Sequence, residues 1–168
     1  MPVILRAIWT REFGWALLLC AIAGSTDALD GFLARRLHAG SRVGEYLDPV
    51  ADKLLLSGSY LVFGLRGMIP MWITVLVLGR DLMILTFAGL AFALTSARRF
   101  PPTVWGKLST FVQVSTVLVV LVSGLLGWGR PFLDFALACV VVATSWSALH
   151  YLFVGLRIVR GTRVGTAH

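Results

Sequence analysis

Apolar residues fall in long runs, near residues 13–29, 47–65, 70–94, 104–127 and 132–156, separated by short polar connections. A helix that crosses a bilayer needs roughly 20 mostly apolar residues, so the pattern predicts five complete spans in an all-α polytopic membrane protein. The connections at 67–69 and at 96–103, the latter with Pro101 and Pro102, are too short to fold alone. Residues 1–160 are therefore expected to form a single transmembrane domain, followed by a basic cytoplasmic tail at 161–168. The first run follows Arg11 and Glu12 and precedes no small-residue cleavage site, which argues against a removable signal peptide. Residues 1–9 form an apolar stub too short to cross, read as the end of a sixth helix whose first half is missing.

Composition agrees with that pattern: 58% hydrophobic and 14% charged residues make a chain of 168 residues too apolar for a soluble domain. The net charge of +7 would point to nucleic acid in a soluble protein, but in a polytopic one its distribution between spans matters more, and no nucleic-acid partner is expected. One set of connections carries nine basic residues, Arg35, Arg36, Arg42, Arg98, Arg99, Lys107, Arg157, Arg160 and Arg163. The other carries four, Arg6, Arg11, Arg66 and Arg130. The richer set is expected to face the cytoplasm, in an integral protein of a bacterial inner membrane. Cys20 and Cys139 stand singly in apolar runs, without a CxxC pattern, and read as packing residues.

Of eight acidic residues, five, Asp27, Asp30, Glu45, Asp48 and Asp52, lie in one 26-residue window joining the first two runs. On helices, the spacing of three between Asp27 and Asp30, and of four between Asp48 and Asp52, puts each pair on one face. Carboxylates so placed repel one another, and at membrane depth each costs roughly 2.5–3.5 kcal/mol. A shared cation reverses that penalty. Oxygen-only donors suit Mg²⁺ or Mn²⁺ better than zinc, and two such ions suit phosphoryl transfer. Simpler readings exist residue by residue: Asp48 before Pro49 as a helix N-cap, Asp27 or Asp30 solvated at a span end. One cap, however, accounts for one aspartate and leaves three unassigned.

Written out, the window is D-x2-D-G-x2-A-R-x8-G-x3-D-x3-D, carried by Asp27, Asp30, Gly31, Ala34, Arg35, Gly44, Asp48 and Asp52. It closely resembles the signature of the CDP-alcohol phosphatidyltransferase family. The resemblance implies a six-helix membrane bundle, usually a homodimer, with the motif at 27–52 at its catalytic centre. It further implies that Asp27 and Asp48 bridge two divalent ions, Asp30 completes the first site, and Asp52 serves the second and acts as general base. Gly31, Ala34, Arg35 and Ser41 are implied to contact the CDP moiety. Small residues at 31 and 34 would let a nucleotide approach the backbone, and Arg35 offers a planar donor fork; helix packing is their simpler use. The substrates implied are CDP-diacylglycerol and an alcohol or lipid acceptor, with CMP released.

Asp48-Pro-Val-Ala-Asp-Lys53 is similar to the form found in phosphatidylglycerophosphate synthases and CMP-forming cardiolipin synthases, which leaves glycerol 3-phosphate and phosphatidylglycerol as candidate acceptors. Gly79-Arg-Asp-Leu-Met-Ile84 looks more like the cardiolipin branch. Lys107-x-x-Thr110-x-x-Gln113 is shared by both. Lys53 is a candidate acceptor-phosphate ligand, or a residue that trims local charge. Arg80, in mid-span, is a second candidate; neighbouring side chains leave a helix about 100° apart, so a direct pair with Asp81 is not expected, although either could pair with another span. The rival function is a divalent-cation or proton transporter using the intramembrane carboxylates. It would need ionisable groups on several spans, yet beyond the motif only Asp81 is an embedded acid.

Overall fold

The computed structural model describes the backbone of residues 2–37, 42–94, 104–127 and 129–164, with side chains at 2–26, 29, 53–87, 89, 104–127 and 129–153. All regular structure among these residues is helical: α1 Pro2–Trp9, α2 Phe13–Leu37, α3 Arg42–Leu65, α4 Met71–Leu94, α5 Val104–Leu126 and α6 Arg130–Val164. Each of the five apolar runs coincides to within a residue with, or lies inside, one helix, and the stub forms α1. The helices outlast the runs because backbone hydrogen bonding does not stop where side chains turn polar. Thus α2 continues past residue 29 to Leu37, α3 opens at Arg42, and α6 passes the expected tail boundary to reach Val164. The simpler reading of Asp48 as a helix N-cap does not hold, since it lies well inside α3.

The turns are built by local chemistry. At the end of α1, Glu12 N–H donates to the Ala7 carbonyl (2.9 Å) and Arg11 N–H to that of Ile8 (3.1 Å), with Arg11 at φ 62°. This is a Schellman closure with arginine in the left-handed position that usually takes glycine. After α3 the same closure recurs with Gly67 at φ 67°, Met68 N–H donating to the Phe63 carbonyl and Gly67 N–H to that of Gly64. These turns share one end of the bundle: the Arg66 guanidinium lies 5.1 Å from the centre of the Trp9 ring, and Phe13 lies against Gly124.

α6 lies along α5 and α4, while α1 wedges between α2 and α3. The core joins Ile4 and Ile8 of α1, Tyr60 and Phe63 of α3, Ile73 and Val77 of α4, Leu121 of α5 and Val140 of α6. Polar side chains are buried with them. Thr74 donates to the Tyr60 carbonyl (3.0 Å), Tyr60 to the Gln113 carbonyl (3.1 Å) and Gln113 Nε2 to Thr144 (3.2 Å), a polar seam through the interior. The exterior is the reverse, with Trp15, Leu18, Ile22, Leu85, Phe111, Phe135 and Val142 all exposed. An apolar outside around a polar inside is the arrangement lipid permits and water disfavours. Among the described residues, Val104–Leu126 and Arg130–Phe153 are long and apolar enough to cross a membrane.

Candidate active site

The motif is divided between two consecutive helices. Asp27, Asp30, Gly31, Ala34 and Arg35 lie on α2, and Gly44, Asp48 and Asp52 on α3. The helical backbone thus supplies the three- and four-residue spacings on which the same-face pairing of the aspartates was argued. The side chains of these residues, and Ser41 altogether, lie outside the described residues.

Immediately after Asp52 the description resumes with Lys53, and here an ionic cluster comes into view. Lys53 Nζ donates to Asp81 Oδ1 at 2.7 Å, and Arg80 Nη1 donates to the same oxygen at 2.6 Å. The two cationic candidates from the sequence are therefore joined through one carboxylate. Arg80 is held further by α5 and α6: Nη2 and Nε donate to Ser147 Oγ at 2.8 and 3.3 Å, Nη2 points to the Gly106 carbonyl at 3.5 Å, and its guanidinium carbon lies 5.9 Å from the centre of the Tyr151 ring. The side chains of Arg80 and Asp81 are 2% and 7% exposed, that of Lys53 37%.

The direct Arg80–Asp81 pair overturns the expectation that neighbours on a helix would not meet. Their Cβ atoms do diverge, but arginine's long stem bends back around the helix, and in a buried site an unpaired charge costs more than a constrained rotamer. The alternative that either residue pairs with another span holds as well, Asp81 with Lys53 of α3 and Arg80 with Ser147 of α6; sequence reasoning passed over Ser147. Asp81 had a signal, as the remaining embedded acid; Ser147 had none, because a serine on an apolar helix is common. Gln113, part of the uninformative Lys107-Thr110-Gln113 pattern, proves to be a buried member of the polar seam.

A helical bundle with an apolar exterior and a buried ionic cluster thus carries the sequence motif on α2 and α3. The family model for CDP-alcohol phosphatidyltransferases matches residues 1–147, and the chain belongs to that family. It is 36% identical over 137 residues to a CMP-forming cardiolipin synthase of Streptomyces coelicolor, covering 76% of this chain and 62% of the relative. A CMP-forming cardiolipin synthase of Rattus norvegicus is 30% identical over 176 residues, covering 95% and 58%. A probable phosphatidylglycerophosphate synthase of Mycobacterium tuberculosis is 31% identical over 171 residues, covering 97% and 79%. The chain thus spans less than two thirds of the length of the first two. No solved structure matches it.

Proposed function

We propose that this protein transfers a phosphatidyl group from CDP-diacylglycerol to the hydroxyl of an alcohol acceptor, releasing CMP, in the synthesis of an anionic phospholipid. The observation that carries this reading is the complete eight-position motif from Asp27 to Asp52 in a chain whose family match covers residues 1–147. The Asp52 carboxylate takes the acceptor's hydroxyl proton; the oxygen attacks the β-phosphorus of the donor, and the bond to CMP breaks with its electron pair leaving on CMP. Gly31, Ala34, Arg35 and Ser41 hold the CDP moiety. Asp27, Asp30, Asp48 and Asp52 are an all-oxygen donor set suited to Mg²⁺ or Mn²⁺, and two such ions, when bound, neutralise charge on the attacked and leaving oxygens.

The acceptor carries a phosphate, as phosphatidylglycerol or glycerol 3-phosphate, and Gly79–Ile84 favours the former. Relatives named for each activity support keeping both. Lys53, partly exposed, is the cation that meets this phosphate, and Arg80 supports it from the buried side. The protein works as a homodimer, its site facing the cytoplasm of a bacterial inner membrane; the nine-to-four excess of basic residues supports the orientation. The family match and the relatives give no support to the ion-transporter alternative.

Membranes carrying the protein, given labelled CDP-diacylglycerol with Mg²⁺ or Mn²⁺ and either acceptor, are expected to release CMP and form lipid product, and chelation should stop both. Asp52→Asn should lower turnover about 10²- to 10⁴-fold while CDP-lipid binding persists. No metal-dependent CMP release with either acceptor overturns the reading, and undiminished turnover in Asp52→Asn overturns the base assignment.

A further inference from the structure

Asp81 has no assigned part in the reaction, yet it is the point through which the ionic cluster is organised. Its Oδ1 receives both Lys53 and Arg80, and Oδ2 is buried with no partner among the described residues. Of the two cations, Arg80 is committed elsewhere: Ser147 of α6 takes two of its N–H groups, and Gly106 of α5 and the Tyr151 ring flank it. Its guanidinium is thus fixed by two other helices, and it fixes Asp81 in turn. Lys53 stands differently. Its side chain is 37% exposed, and among the described residues Asp81 is its ion-pair partner. A lysine on a flexible four-carbon stem would sample many positions, and a carboxylate clamped from behind restricts it to one.

We propose that Asp81 is a positioning residue that holds the ammonium of Lys53, the residue that follows Asp52 on α3, for the phosphate of the acceptor. Order passes along a relay from Ser147 and Gly106 to Arg80, then Asp81, then Lys53, so that α4, α5 and α6 together aim a side chain of α3. The charge of the cluster suits the task. Among the described residues, two cations against one carboxylate leave one positive charge, and Lys53 is the more exposed of the two. Lys53 follows Asp52 directly on α3, which joins the cluster to the motif along the chain. The proposal rests on the transferase reading only in taking the anion to be the acceptor's phosphate, carried either by glycerol 3-phosphate or by phosphatidylglycerol.

The test uses the full chain in phospholipid vesicles, with KM for CDP-diacylglycerol and for each acceptor measured separately. Lys53→Ala and Asp81→Asn are each expected to raise the KM of one acceptor about tenfold, the loss of one charge-assisted contact, leaving the KM of CDP-diacylglycerol within about twofold. The double variant should be no worse than Lys53→Ala alone, because Asp81 acts through Lys53. Asp81→Glu should recover part of the loss. Lys53→Ala removes a partly exposed side chain and is expected to fold even if Asp81→Asn, which leaves Arg80 without its carboxylate, does not. An unchanged acceptor KM in Lys53→Ala, additive effects in the double variant, or an equal rise in both KM values overturns the proposal. Binding of the two acceptors without turnover gives a second readout. If the wild type binds a phosphate-bearing acceptor and releases no CMP, the transferase reading falls, while a roughly tenfold weaker binding by both Lys53→Ala and Asp81→Asn still upholds the role of Asp81. Equal binding by wild type and variant refutes it.

Discussion

At the scale of single residues, the molecule turns on how it shelters charge. Arg80 and Asp81 lie in the interior of a bundle whose outside is apolar, and burial of a charge is costly unless it is paired and hydrogen-bonded. Ser147 answers two of the guanidinium N–H groups with one oxygen. Ser147→Ala should therefore cost about 1.5–3 kcal/mol, the value of a hydrogen bond to a charged group, read as a lower midpoint of heat denaturation in detergent. Ser115→Ala makes the control, since that exposed hydroxyl bonds only the Phe111 carbonyl of its own helix (2.9 Å), and it should change the midpoint little. An equal effect of the two would mean that Arg80 does not depend on Ser147. The sequence marked Arg80 and Asp81 by their charge in an apolar run, but their pairing depends on side-chain reach, which spacing along a helix does not encode. The four motif aspartates were the opposite case, because their type and interval are properties of the sequence itself.

At the scale of elements, hydropathy located the helices and misjudged their ends. The runs at 70–94 and 104–127 agree with α4 and α5 to within a residue, and turns at 66–69 and at Gly127 bound the start of α4 and the end of α5. The ends of α2 and α3 were hidden since the polar motif residues there continue the helix, and only the backbone registers that. Nor did the sequence separate glycines that bend the chain from those that let helices touch. A Cβ at Gly64 would come within 2.5 Å of Thr74 Oγ1 and 3.0 Å of Met71 Sδ, so this glycine sets the approach of α3 to α4. At Gly67 a Cβ would meet nothing within 4 Å, but φ is 67°. Gly64→Ala is expected to destabilise by about 1–3 kcal/mol through overpacking, and Gly67→Ala by about 1–2 kcal/mol through backbone strain. Thr74→Ala, which removes the clashing hydroxyl, should recover part of the first loss and none of the second. Double-variant denaturation in detergent distinguishes them, and recovery in both would refute the division.

At the scale of the whole molecule, the helices sort the chain's charge between two ends. The turns after α1 and α3 and the contact of Phe13 with Gly124 share one end, where Arg11 and Arg66 lie. The ionic cluster of Lys53, Arg80 and Asp81 lies near the middle of α3 and α4, while Arg35, Arg36 and Arg42 of the larger basic set lie at the opposite ends of α2 and α3. That separation means a single orientation decides the location of both the motif and the basic excess. Retention of Lys and Arg in cytoplasmic connections predicts which orientation it is. In a Cys20→Ala, Cys139→Ala background, a cysteine introduced at Glu12 or Gly129 should react with a membrane-impermeant maleimide on intact cells. One at Arg163 should react only after the membrane is opened. The reverse pattern would put the motif outside, away from any cytoplasmic supply of a CDP-linked donor, and would overturn the cytoplasmic site. Labelling of all three positions from one side would contradict the bundle itself, because an α6 that crosses the membrane between Gly129 and Arg163 cannot present both ends to the same compartment.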